Sequence, residues 1–158
     1  MPIAQNPDEL PTRAEILSMS GLEFMQSILR GEISGPPIGG LLGYTLRSVE
    51  DGEVIFRGTP PFEASNPIGS VHGGWYGTLL DSCMACAVMT KVPRGSVYTT
   101  LEYKINIVRP IPIGMEIDAI GTTQHAGRST GVAVGQIRGV EDGKLYATGN
   151  TTCIIMTP

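Results

Sequence analysis

Apolar residues near the start of the chain recur every three to four positions between residues 22 and 29, which predicts an amphipathic helix. Thr12 and Ser20 are each followed three residues later by a glutamate, the pattern of a capping box, so a helix is predicted to begin after each. Gly31 is a suitable stop for the second helix. Glycine and proline then interrupt the pattern as far as residue 40, which predicts a linker.

Beyond residue 40 the dominant pattern is that of β-strands. Asp51-Gly52 and Asp142-Gly143 each separate two apolar runs, which predicts two β-hairpins. Residues 99–108 alternate, with Leu101 and Tyr103 on one side and Thr100 on the other, as in a strand with one buried face. The predicted strands cover residues 41–49, 54–59, 99–108, 115–123, 132–140 and 145–156.

The segment from Gly74 to Thr90 differs because it is apolar on nearly every side, which predicts a buried helix too short to span a membrane. Such a helix has to be wrapped by the remaining elements, and a curved antiparallel sheet is the element available. We therefore predict an α+β domain over residues 37–158, with a helical appendage over residues 1–36.

Composition narrows the possible functions. The chain has 158 residues, of which 41% are hydrophobic and 16% charged, so it has ample material for a core. Its net charge of −4 argues against a nucleic-acid partner. No window resembles a membrane span or a signal peptide, and the three cysteines suggest no disulfide framework. We expect a soluble, cytoplasmic protein with no membrane partner.

Candidate chemistry lies in and just before the apolar helix. Asp81 is the only ionisable side chain between residues 74 and 90, and a carboxylate in such a helix needs a partner, a raised pKa or a catalytic task. The loop from Asn66 to Gly74 leads directly into this helix. Because a helix N-terminus presents unpaired N–H groups, the N–H of Gly73 could stabilise an oxyanion. His72 could orient the loop through Asn66 or contact the substrate.

Asn66, His72-Gly73-Gly74 and Asp81 together resemble the hotdog-fold acyl-CoA thioesterases of the phenylacetic-acid-degradation type. The resemblance spans residues 40–156 and is strengthened by three further segments, Leu79-Leu80-Asp81, Thr100 to Pro110 and Gly127-Arg128-Ser129. It implies a hotdog fold, in which a curved antiparallel sheet wraps around one long hydrophobic helix, and a homodimer often paired into a homotetramer.

The resemblance also implies roles for individual residues. Asp81 acts as nucleophile or as general base on water, facing substrate bound mainly by the neighbouring subunit. The Gly73 N–H polarises the thioester carbonyl, Asn66 and His72 hold the loop, and Thr100 helps to position water. The implied reaction is hydrolysis of an aromatic or medium-chain acyl-CoA, with no metal and no cofactor other than the CoA of the substrate.

An acidic protein needs local donors to bind the phosphates of CoA. At the start of a late strand, Arg128, Ser129 and Thr130 are candidates for this role, and Arg109 is a further one. Gly74 and Trp75, at the start of the apolar helix, are candidates for contact with the substrate. Trp75 and Tyr76 are most simply core or interface residues, although either could line an acyl pocket.

Two alternatives stay open at the level of sequence. One is a hydratase or dehydratase of acyl thioesters with the same fold, although the His72-Gly73-Gly74 motif fits a thioesterase better. The other is a non-catalytic module that binds acyl-CoA. Residues 127–131 match the G-x-S-x-G pattern of serine hydrolases, but a strand follows and no histidine comes later. Cys83 and Cys86 have C-x-x-C spacing and are interpreted as buried apolar residues.

Overall fold

One antiparallel sheet and one long helix dominate the structure, a computed structural model that describes residues 2–158. The helices are α1 (Arg13–Leu17), α2 (Gly21–Arg30), α3 (Pro37–Leu42) and α4 (Gly73–Met89). The strands are β1 (Tyr44–Glu50), β2 (Glu53–Gly58), β3 (Val97–Ile107), β4 (Ile117–Ala126), β5 (Thr130–Gly139) and β6 (Leu145–Met156). Single 3₁₀ turns cover Pro7–Glu9 and Phe62–Ala64.

The six strands lie in the order β1-β2-β4-β5-β6-β3, and every neighbouring pair is antiparallel. Helix α4 packs against strands β2 to β6. The predicted α+β class and the order of two strands, one central helix and four strands are confirmed. Both predicted hairpins are present, with Gly52 and Gly143 at positive φ in their turns.

Helix α4 can lie directly on the sheet because the strand positions beneath it are small. A Cβ at Gly121 of β4 would overlap the backbone of Cys83, and one at Gly135 of β5 would lie 2.7 Å from Met84 Cγ. Leu79, Leu80 and Met84 are therefore fully buried between the helix and the sheet. Within residues 2–158, no helix is both long enough and apolar enough to cross a membrane.

The two predicted capping boxes are confirmed at the starts of α1 and α2. Gly31 ends α2 in the left-handed conformation, with φ of +79°. Helix α2 is part of the core, because Met25 and Ile28 belong to the same buried cluster as α4. By contrast, α1 buries none of its residues.

The linker prediction for residues 31–40 is wrong in part, since Pro37–Leu42 forms α3. Strand β1 therefore begins at Tyr44 rather than at residue 41. Proline at the first helical position and a left-handed Gly43 after the last are the usual limits of a short helix. Both residues are visible in the sequence, but the many glycines and prolines of this segment favoured the prediction of a linker over that of a helix.

Strand β3 differs from the prediction in two respects. It is an edge strand, so Leu101 and Tyr103 are 61% and 46% exposed and no continuous buried face exists within one chain. A β-bulge at Leu101 also interrupts the alternation, because Thr100 pairs with Cys153 while Glu102 pairs with Thr152. As a result Thr100 and Tyr103 both face α4, whereas strict alternation would place them on opposite faces.

Candidate active site

The loop before α4 is held by the side chain of Asn66. Its Oδ1 accepts hydrogen bonds from the backbone N–H groups of Ile68 (3.1 Å) and Ser70 (3.2 Å), and its Nδ2 donates to Ser70 Oγ at 2.8 Å. Asn66 therefore orders the loop through Ser70 rather than through a bond to His72. The loop is also tied to the preceding turn, where the His72 N–H donates to the carbonyl of Ala64 at 2.8 Å.

His72 caps the N-terminus of α4. Its Nδ1 accepts a hydrogen bond from the Gly74 N–H at 2.9 Å, so the proton of the neutral ring lies on Nε2. The Gly74 N–H is thereby occupied. Gly73 is the first residue of the helix, and no acceptor among residues 2–158 bonds its N–H. Of the two adjacent glycines, Gly73 is the one that can donate to a substrate.

Asp81 lies two turns further along α4 and is half-buried. Its Oδ1 accepts a hydrogen bond from Thr100 Oγ1 at 3.0 Å, which leaves Oδ2 available for other partners. Burial raises the pKa of the Asp81 carboxyl above its usual value, and the hydrogen bond from Thr100 lowers it in part. The pair is thus a positioned carboxylate with a fixed orientation, suited to nucleophilic or general-base chemistry.

Within one chain, Gly73 and Asp81 are too far apart to act on the same carbonyl group. Asp81 follows Gly73 by eight positions of α-helix, which corresponds to about 12 Å along the axis. A reacting carbon has to lie within roughly 3 Å of both an oxyanion donor and a nucleophile. The structure therefore divides the predicted residues into a loop group (Asn66, His72, Gly73 and Gly74) and a carboxylate group (Asp81 and Thr100).

The candidate phosphate-binding residues divide in the same way. Arg109 lines a surface depression together with Ser70 and Val71 of the loop, and its Nη1 donates to the carbonyl of Leu145 at 2.8 Å. It belongs with the loop group.

Arg128, Ser129 and Thr130 lie exposed at the turn into β5, near the carboxylate group. The next residue, Gly131, pairs with Cys153 on β6, and Cys153 pairs with Thr100 on β3. Two strand spacings, or about 10 Å, therefore separate that row of β5 from Thr100.

Trp75 is almost fully buried within the single chain, and its contact with substrate stays a prediction. It is only 2% exposed, and its Nε1–H donates to the carbonyl of Leu42 at 2.9 Å. Its ring packs edge-to-face against Tyr76. Trp75 therefore anchors the start of α4 to the end of α3.

A cavity that the sequence analysis missed lies beside the carboxylate group, between α2, α4 and the first two strands. Ser82 and Cys86 of α4 line it, as does Tyr98 of β3. The available signal was the spacing of Ser82 and Cys86, which follow Asp81 by one and five residues and share one helix face. Residues before position 37 also form part of the cavity wall, but no spacing in the sequence indicated that they would.

Two weaker motifs are structural. Thr130 of the G-x-S-x-G segment begins a strand, so a nucleophile elbow is absent there. Cys83 is fully buried, and burial raises the pKa of the Cys86 thiol to about 12, which makes both thiols poor nucleophiles. Among residues 2–158, no three His, Cys, Asp or Glu side chains are grouped to hold a metal ion.

Comparison with known proteins gives consistent results. Residues 68–146 match the family model described as the thioesterase superfamily. Human acyl-coenzyme A thioesterase 13 is 28% identical over 108 residues, which cover 68% of this chain and 76% of that protein.

Solved structures are similar over a larger part of the chain. A phenylacetic acid degradation-related protein of Ralstonia eutropha is 30% identical, with a TM-score of 0.76, covering 83% of this chain and 98% of its own. The PaaI protein of the Escherichia coli phenylacetic acid degradation operon has a TM-score of 0.74 at 22% identity, covering 88% of this chain and 96% of its own. The latter likeness supports the hotdog fold alone.

Proposed function

The chain belongs to the thioesterase superfamily and is a thioester hydrolase, and from this premise we propose that its substrate is an acyl-CoA, which it cleaves to a free acid and CoA. The observation that carries the proposal is the half-buried Asp81 carboxylate, held by Thr100 at 3.0 Å, on the helix whose first N–H is unpaired. We propose further that the acyl group is aromatic or of medium chain length.

The active site that we propose is shared between two copies of the chain. Strand β3 is an edge strand of 11 residues with exposed apolar side chains, a surface that antiparallel pairing with a second copy would cover. Within one chain, Ile107 of β3 lies beside Gly73, where a Cβ would come 3.6 Å from Ile107 Cδ1. Thr100, seven residues earlier, bonds Asp81.

Antiparallel pairing about a two-fold axis between residues 103 and 104 places the Ile107 end of one β3 opposite the Thr100 end of the other. Gly73 of one copy then approaches Asp81 of the second copy. The same pairing places Arg109 of one copy opposite Tyr98 of the other, about three strand spacings, or roughly 14 Å, from the turn at Arg128. We propose that CoA spans this distance. This geometry supports a homodimer; the homotetramer and the cytoplasmic location stay predictions.

In the proposed reaction, the Gly73 N–H of one copy donates to the thioester oxygen and stabilises the negative charge that develops there. Asp81 of the other copy acts through Oδ2, since Thr100 holds Oδ1. As a general base it takes a proton from water while the water oxygen attacks the carbonyl carbon, and the C–S bond then breaks. The departing CoA sulfur receives the proton from Asp81. As a nucleophile, Asp81 attacks the carbonyl carbon, the C–S bond breaks and CoA leaves as its thiolate. Water then hydrolyses the mixed anhydride to the free acid and the Asp81 carboxylate, and the proton released goes to the CoA thiolate.

The two roles of Asp81 are separable by a single turnover in ¹⁸O-labelled water. Label on the Asp81 side chain identifies the nucleophile, because only attack of water on the aspartyl carbonyl of an anhydride puts it there. Where the label is in the product acid instead, trapping of the anhydride with hydroxylamine distinguishes a nucleophile from a general base. The reaction as proposed uses neither a metal nor a cofactor beyond the CoA of the substrate.

The test is hydrolysis of a panel of acyl-CoAs, followed by thioester absorbance so that the three cysteines do not contribute. We expect turnover by the wild type and a loss of about 10²- to 10⁴-fold in Asp81→Asn. Asp118→Asn is the matched control, because Asp118 is also partly buried and paired, here with Arg57 at 2.8 Å, but lies on the sheet away from the site. Acyl-CoA binding without turnover by the wild type would favour the non-catalytic module instead.

A further inference from the structure

The cavity beside the carboxylate group has a volume of about 250 Å³ and lies in a single chain. Much of its wall comes from residues before position 37, which lie outside the part of the chain that matches the thioesterase family model. These wall residues are Leu10, Pro11, Phe24, Met25, Ile28, Ser34 and Pro36. The N-terminal appendage therefore closes a space that the helix and sheet alone would leave open to solvent.

The cavity begins next to the reacting groups. Ser82 and Cys86, which line it, lie immediately after Asp81 and one turn further along α4. Tyr98, on the β3 side of the cavity, is two residues before Thr100, the partner of Asp81. Burial raises the pKa of both Cys86 and Tyr98, and the nearby Asp81 carboxylate contributes to raising each, consistent with this proximity.

The lining determines what kind of group can enter. Apart from hydroxyl and thiol groups the walls are apolar, and two of the lining hydroxyls, Tyr44 Oη and Ser82 Oγ, are bonded to each other at 3.0 Å. A ligand is therefore not required to supply a polar partner. An apolar cavity of about 150 Å³ is large enough to bind benzene, so this one accommodates up to roughly ten non-hydrogen atoms.

On the basis of the proposed function, we propose that this cavity binds the acyl group of the substrate, and that Phe24, Met25 and Ile28 of the appendage set its maximum length. The thioester carbonyl lies at Asp81 and the acyl carbons extend past Ser82 and Cys86 towards α2. The cavity belongs to the copy that supplies Asp81, while the CoA part extends towards the loop group of the other copy. Octanoyl and phenylacetyl groups fit this volume, and a palmitoyl group exceeds it.

Binding is measured by calorimetry in the dimeric full-length chain carrying Asp81→Asn, which keeps the thioester intact. Each buried methylene adds roughly fourfold to affinity before other costs, so we expect octanoyl-CoA to bind at least about tenfold more tightly than acetyl-CoA. Palmitoyl-CoA is expected to gain nothing over octanoyl-CoA.

Two substitutions change the cavity in opposite directions. Cys86→Phe narrows it, and we expect it to weaken octanoyl-CoA binding at least about tenfold more than it weakens acetyl-CoA binding. Phe24→Ala enlarges it and is expected to move the preferred chain length upwards by two or more carbons. Leu22→Ala is the matched control, because Leu22 is a partly buried residue of the same helix that does not line the cavity.

Equal affinities for acetyl-CoA and octanoyl-CoA would overturn the acyl site. So would an unchanged chain-length preference in Phe24→Ala, a variant that tests the site even if Cys86→Phe does not fold. Hydrolysis by the wild type, measured over the same series, separates this proposal from the proposed function. Turnover without any chain-length preference would overturn the proposed acyl site but not the thioesterase function. A chain-length preference in binding without turnover would support the acyl site and overturn the thioesterase function.

Discussion

At the scale of single residues, the two adjacent glycines at the start of α4 have different tasks. Gly74 gives its N–H to the cap formed by His72, whereas the N–H of Gly73 has no acceptor within residues 2–158. Gly73 can be substituted by a residue with a side chain, because a Cβ there would meet only Ile107 Cδ1, at 3.6 Å. Gly73 is also the first residue of the helix, the position at which proline is best tolerated.

Gly73→Pro removes the proposed oxyanion donor without breaking the helix, and His72 already has the extended backbone that a following proline requires. We expect kcat to fall by about 10²- to 10³-fold, the usual cost of losing one oxyanion donor. Gly73→Ala, which keeps the N–H, should retain most of the activity. Equal activities of the two variants would show that this N–H does not contact the substrate.

The hydrogen bond between Thr100 and Asp81 predicts a change in pH dependence. Activity requires the ionised carboxylate, so the acidic limb of the kcat/KM profile reports the pKa of Asp81. Burial raises this pKa and the Thr100 hydroxyl lowers it. Thr100→Val removes the lowering contribution, and the acidic limb is expected to move to higher pH. The neighbouring Thr99→Val serves as the control, and an identical limb in both variants would contradict the assignment.

At the scale of elements, the two capping boxes have the same chemistry but different consequences. Ser20 and Thr12 each bond the backbone N–H of a glutamate three residues later, at 3.3 Å in both cases. Helix α2 buries Met25 and Ile28 in the core, whereas α1 has no fully buried residue and packs only the partly buried Ile16 against the core. Stability of α2 is therefore coupled to the whole domain, and that of α1 is not.

We expect Ser20→Ala to reduce the free energy of unfolding by about 1 kcal/mol, the typical cost of losing an N-cap. Thr12→Ala should change it by no more than a few tenths of a kcal/mol, because fraying of α1 exposes no fully buried residue and only the partly buried Ile16. Chemical denaturation of both variants measures the difference. Equal losses in the two variants would mean that α1 and α2 unfold together with the core as one unit.

At the scale of the whole molecule, the arrangement of α4 and β3 requires two chains for one site. The separation of about 12 Å between Gly73 and Asp81 is fixed by helix geometry, and no side-chain rotation can close it. Strand β3 provides the surface through which a second copy can bring the complementary group.

A shared site predicts complementation between two inactive variants. In a heterodimer of Asp81→Asn and Gly73→Pro chains, one of the two sites has both wild-type groups and the other has neither. We therefore expect about half of the wild-type activity per heterodimer, although each homodimer is inactive. Differently tagged chains, co-expressed and purified by both tags, provide the heterodimer. An inactive heterodimer would place both groups of each site in one chain.

Much of this protein is determined by local sequence. The capping boxes at Thr12 and Ser20, the two Asp-Gly hairpins and the apolar helix depend on short-range preferences, and all were predicted within a few residues. The family resemblance rests on the spacing of Asn66, His72-Gly73-Gly74 and Asp81, which can be recognised directly in the sequence. Helix α3 was missed only because the proline at its start and the glycine after its end are also typical of a loop.

The sequence by itself determined the elements, their order and the candidate groups on α4, because these follow from propensity and periodicity. Only the tertiary structure decided which groups meet. The bulge at Leu101 turns Thr100 towards Asp81, the edge position of β3 leaves its apolar residues exposed, and α2 closes a cavity beside Ser82. Each depends on contacts between residues distant in the chain, which the periodicity of a single segment does not encode.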